Sequence, residues 1–126
     1  MPDYTLVVNT TGSAGSATGS KTTPALESGQ VLEAIKVDYH GSAPATTDLV
    51  VSEVGGLQQT LLTLTNTNTD GIYYPRHALH DGAGAAGSGL DLFQVEGQLQ
   101  VAVSGCDALA PAVTVTLRTL SGAQVR

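Results

Sequence analysis

The residue types best suited to chemistry in this chain crowd into Arg76-His77-Ala78-Leu79-His80-Asp81. On a helix, His77 and His80 would share a face beside the Asp81 carboxylate, a start towards holding a divalent cation through nitrogen and oxygen donors. The motif stops short of a metal site. No Glu stands where a zinc hydrolase needs its base, and no distant further ligand is marked, so an exposed turn accounts for the same residues. Gly82, Gly84 and Gly87 spell G-x-G-x-x-G. Gly89 and the strand-like Leu90-Asp91-Leu92-Phe93 follow where a phosphate-cradling helix should begin, which leaves a plain glycine loop.

Nucleophiles fare no better. Cys106 is the sole cysteine, which excludes an intrachain disulfide and a thiolate zinc cage. Without a base near it in sequence, it reads as a small packing residue. No serine lies in G-x-S-x-G, and nothing pairs the acids for acid-base work. Asn9-Thr10-Thr11 has the form of a glycosylation acceptor, but with no secretory signal ahead of it the match is read as chance. No catalytic residue, no cofactor-binding residue, no metal ligand and no cofactor is assigned, and the chain is read as not an enzyme.

Charge narrows the partners. Eleven acids against five bases give a net charge of -6, and Lys21, Lys36, Arg76, Arg118 and Arg126 are scattered singly. Duplex binding needs clustered cations, so no nucleic acid is expected, and an anionic membrane surface is disfavoured likewise. No apolar run is long enough to span a bilayer, and Met1-Pro2-Asp3-Tyr4 does not begin a signal peptide, so a soluble, unsecreted chain is expected.

The elements that position these residues are strands. Leu99, Val101 and Val103 alternate with Gln98, Gln100 and Ala102, and Val113, Val115 and Leu117 alternate with Thr114, Thr116 and Arg118. A period of two sends one set to a core and the other to solvent. A long strand is predicted over about 30–40, where β-branched Ile35 and Val37 outweigh the helix formers of 25–36. Further strands are predicted at about 4–9, 48–54, 59–66, 71–76 and 91–95. Turns fall at Gly41-Ser42-Ala43-Pro44, Gly55-Gly56 and Asn68-Thr69-Asp70-Gly71, and Glu96-Gly97 reads as a tight hairpin.

The total is an all-β fold of about eight antiparallel strands, a β-sandwich, jelly roll or small barrel. With four tyrosines, one phenylalanine and no tryptophan, its core must be aliphatic. The Gly/Ser-rich run 10–20 has no apolar anchor. Residues 1–28 are therefore expected as an N-terminal strand on a flexible arm, and 29–126 as the sandwich domain. Tyr4, Leu6 and Val8 would be free to add a strand to another chain's open edge. Asp70-Gly71-Ile72-Tyr73-Tyr74-Pro75-Arg76-His77 gathers tyrosine, proline and arginine. Tyr73, Tyr74, Pro75, Arg76 and His77 are therefore candidate contact residues, although the tyrosines could equally fill one end of the core.

Three stretches, Val31 to Tyr39, Ala45 to Asp48 and Leu61 to Arg76, followed by Val95 to Val101 and the Thr/Val-rich last strand, resemble small structural proteins encoded beside the major capsid genes of tailed phages. The resemblance covers roughly residues 29–120, with Asn68-Thr69-Asp70-Gly71 to Tyr74-Pro75-Arg76 its most characteristic part. It implies a capsid decoration or cement protein: a jelly-roll-like sandwich on the outer surface of the virion, bound to the major capsid protein and tying capsomers together. A homo-oligomer is expected, a trimer ahead of a dimer. The alternative is a carbohydrate-binding or adhesive β-sandwich module on a virion or cell surface, for which Tyr73 and Tyr74 are the rings available to a sugar.

Overall fold

The computed structural model describes residues 3–121; Met1, Pro2 and Arg126 lie outside them. The alternation of apolar and polar residues becomes nine antiparallel strands among the described residues. One sheet begins with β1 (Asp3–Val8), which pairs with the last strand, β9 (Val113–Ser121), and β9 pairs with the long β3 (Leu26–Tyr39). The other sheet runs from β2 (Ala17–Thr22) through the second half of β8 (Ala86–Cys106) to β4 (Asp48–Val54) and β5 (Thr60–Leu64). The architecture is sandwich-like, with one strand, β8, shared by the two sheets.

The free edge of β3 is filled by two pieces in line. β6 (Gly71–Tyr73) pairs at Ile35↔Tyr73 to Val37↔Gly71, and the first half of β8 takes over at Leu32↔Phe93. Between them the chain leaves the sheet as a hairpin of β7 (Arg76–His80) with the start of β8.

Packing follows the period of two, except in β3, where a bulge between Leu32 and Ala34 moves the buried face on to Ile35 and Val37. Val113, Val115 and Leu117 of β9 are buried, as are Leu32, Ile35 and Val37 of β3, Leu49 and Val51 of β4, and Leu99, Val101 and Val103 of β8. The core is aliphatic, with Tyr4, Tyr39, Tyr73 and Phe93 packed at its margin.

Three expectations need correction. Glu96-Gly97 is not a hairpin: β8 runs straight through it and crosses from one sheet to the other. Gly97 takes φ 74 there, a left-handed bend that suits glycine. The Gly82 to Gly89 loop is shorter than expected, because Ala86 already pairs with His80.

The N-terminal segment expected as a flexible arm is drawn into the fold. Leu6 and Val8 are buried opposite Val115 and Val113 of the same chain. The Gly/Ser run turns back at the Thr11↔Thr18 bridge, and β2 follows. Small residues permit this return: a Cβ at Gly19 would run into the Asn9 carbonyl. Neither β2 nor β7 shows hydrophobic alternation, so main-chain pairing rather than burial makes them strands.

The Tyr39 hydroxyl is buried without a hydrogen-bond partner. Burial, reinforced by Tyr73, Asp70 and Cys106, pushes its pKa up from 10.0 to about 12. A raised folded pKa means that the unfolded chain releases the proton first. Stability should therefore be intact below pH 10 and fall between pH 10 and about 12. Tyr39→Phe is expected to flatten that part of the alkaline profile in urea titrations and to cost little at neutral pH, because it removes an unsatisfied group. Leu117→Ala, in the fully buried row, should lower unfolding free energy by about 2 to 5 kcal/mol in the same assay.

Candidate functional site

The outer face of the first sheet is assembled by register. Asp3 stands beside Arg118, and Arg118 beside Ala34; one step along, Thr5, Thr116, Lys36 and Ile72 form a cross-strand row. Each side chain points outward because its chain neighbours, Tyr4, Leu117, Ile35 and Tyr73, face the core. β6 ends at Tyr73, and the next residue, Tyr74, is 62% exposed, with Ile72 55% exposed beside it. Together these groups border a groove of about 190 Å³ lined by Asp3, Glu33, Lys36, Ile72, Tyr74 and Arg118, among others.

Arg118 is held by a two-pronged contact. Its Nε donates to Asp3 Oδ1 at 2.9 Å and its Nη2 donates to Asp3 Oδ2 at 3.0 Å. The guanidinium hydrogen bond holds the Asp3 carboxyl below the usual aspartate value, and the carboxylate raises Arg118 in return. Lys36 lies 3.8 Å from Asp38, with both side chains about half exposed. Arg76 stiffens the groove's rim by donating from Nη1 to the carbonyls of Glu33 at 3.2 Å and Pro75 at 2.8 Å.

A larger groove, about 360 Å³, lies beside the sheet crossing and is lined by Glu53, Leu57, Gln59, Gln94 and Glu96. Glu53, only 5% exposed, accepts from the Glu96 N–H at 2.9 Å and from Gln59 Nε2 at 3.4 Å. Its oxygens are committed to the fold, and no aromatic ring lines that groove.

The candidate contact residues scatter. Leu6 and Val8 lie in their own core opposite Val115 and Val113, where β1 pairs with β9 of the same chain. Tyr4 and Tyr73 pack against the core, and Pro75 is half-buried. His77 sits at the hairpin base, its Nε2 3.2 Å from the Leu92 carbonyl and its ring centroid 5.1 Å from that of Phe93. His80 is exposed, and Asp81 Oδ1 accepts the N–H groups of Ala83 and Ala85, each at 2.9 Å. Cys106 is buried. Among the described residues no three of His, Cys, Asp and Glu converge as a metal site.

Only Tyr74, of the candidates, faces into the groove, and Arg76 braces it. Asp3, Glu33, Lys36, Thr116 and Arg118 were not singled out by sequence. Their outward direction was legible in the alternation of Lys36, Thr116 and Arg118, but the order of strands that brings them together was not.

No family model matches the chain, and no curated protein matches it. Among solved structures it is similar to one described as "CBM4 structure and function", a carbohydrate-binding module, at 18% identity and a TM-score of 0.38, over 91% of this chain and 93% of that one. The comparisons do not bear out the resemblance to tailed-phage capsid decoration proteins or the cementing function drawn from it: no family model and no curated protein of that class matches, and the solved structure found is described as a carbohydrate-binding module. A likeness that loose carries no ligand across, so the function must come from the groove itself.

The ion pair makes a prediction with a definite sign. Because the folded pKa of Asp3 is lowered from 3.8, the pair's contribution is present above that pH and is lost as pH falls through the lower folded value. A carboxyl carbon NMR titration should place the Asp3 midpoint below 3.8, and Arg118→Gln should return it towards the ordinary value.

Proposed function

We propose that this chain is a non-catalytic carbohydrate-binding module and that its ligand lies in the groove beside Tyr74. The observation that carries the reading is an exposed tyrosine ring bordering a polar sheet face. A sugar ring has an apolar C–H face and a rim of hydroxyls, and such a surface meets both. The tyrosine ring and Ile72 cover the C–H face, while carboxylates, guanidinium and ammonium exchange hydrogen bonds with hydroxyls that would otherwise bond water. The polar groups sit on strands of one hydrogen-bonded sheet, so little ordering cost attends binding. The largest exposed ring thus stands where the polar groups converge, as ligand sites require.

Calorimetric titration against a panel of soluble oligosaccharides tests the reading. Wild-type protein is expected to bind at least one of them. Tyr74→Ala should weaken that binding by about tenfold or more, with melting temperature nearly unchanged because the ring is mostly exposed. Absence of saccharide binding by the wild type, or full retention by the variant, would overturn it.

A further inference from the structure

We infer that the larger groove, beside the sheet crossing, is a second binding site, and that it takes a primary ammonium group carried on an aliphatic stem. It shares no lining residue with the groove beside Tyr74. The two sites therefore stand or fall separately. The groove opens where β8 changes sheets: the register of β3 against β8 shifts between Leu26 and Gln30, where Gly29 lies, and the turn after β4 brings Gly56 and Leu57 to the opposite wall. Its volume of about 360 Å³ is that of a small-molecule site.

A carboxylate as deeply buried as Glu53 is ordinarily matched by a cation. Here every donor to it is neutral: the Glu96 N–H at 2.9 Å, the Gln59 N–H at 3.5 Å and Gln59 Nε2 at 3.4 Å. Among the described residues no Lys or Arg lines the groove, and none pairs with Glu53 or with the exposed Glu96. The bonds that tie Glu53 to the fold thus leave its charge unbalanced, and Oε2, with one donor, keeps capacity for a second. Glycine leaves these oxygens uncovered on the groove side: a Cβ at Gly56 would stand 3.6 Å from Oε1 and 3.9 Å from Oε2.

An independent feature decides which cation fits. Leu57, on the groove wall, is 83% exposed. A metal ion gains nothing from a leucine, and among the described residues no three metal-ligating side chains converge here. An alkylammonium meets both halves of the wall. Its head donates to Glu53 Oε2 and is balanced by the Glu96 carboxylate, while its methylenes lie on Leu57. The chain's net charge of -6 draws such a cation in at long range. The same head group occurs on a free polyamine and on a lysine side chain of a partner protein.

The test follows amide chemical shifts of the wild-type protein, at fixed ionic strength, during titration with diaminobutane, Nα-acetyl-lysine methylamide, butanol and calcium chloride. At least one of the two amines should give saturable shifts at 55–59 and 94–96, and butanol should bind at least about tenfold more weakly. Saturation by diaminobutane alone assigns the site to free amines, and saturation by the lysine derivative alone assigns it to a partner's side chain. Glu96→Gln and Leu57→Ser change exposed side chains and should each weaken amine binding by about threefold or more. Glu53→Gln should weaken it by about tenfold or more; because Glu53 also serves the sheet crossing, the two exposed variants decide the matter if that one does not fold. Butanol binding as tightly as the amines, calcium binding more tightly than either, unchanged amine binding in both exposed variants, or no saturation by either amine would overturn the inference.

Discussion

The structure depends on a single strand belonging to two sheets. β8 pairs with β3 up to Gly97 and with β4 from Gln98 onward. At such a crossing the ladder is interrupted, and a main-chain group left without a partner in a buried setting costs about 1 to 3 kcal/mol. Here the Glu96 N–H, at the crossing, is taken up by the buried Glu53 carboxylate at 2.9 Å. Gly97 supplies the bend with φ 74. With the crossing fixed, the aliphatic side chains of both sheets face one another and a core with no fully buried aromatic ring closes.

The groove is a consequence of the same arrangement. β3 is long enough to pair with β9 on one edge and with both β6 and β8 on the other. Where β6 ends and β8 has not yet begun, the chain leaves the sheet, and Tyr74 stands at that departure. Its ring is outside the core because Tyr73, the residue before it, is the one turned inward. The largest exposed aromatic surface and the polar row of β1, β9 and β3 are therefore brought together by strand order alone.

Much of this was legible in residue patterns. The alternation in 98–103 and 113–118 identified the core strands and their faces, and the scarcity of aromatics required an aliphatic core. The rest was hidden for physical reasons. Ala17 to Thr22 contains glycine, serine and threonine and becomes a strand through partners supplied by β8, a non-local cause that no local pattern records. Glu96-Gly97 has the residues of a hairpin turn, yet the bend serves a sheet crossing instead. The groove was the least legible feature: Asp3 and Arg118 meet across |i−j| of 115, and only the β1–β9 register unites them. Tyr74 could be singled out by type, but its neighbours could not.

The most direct measurement is an amide chemical-shift map of the labelled protein titrated with neutral oligosaccharides. The account predicts saturable shifts concentrated at 34–36, 72–74 and 116–118, with the amide of Asp3 among them and the turn between β4 and β5 at 55–59 undisturbed. Shifts centred instead on 55–59 and 94–96, or no saturable shifts with any saccharide, would contradict it.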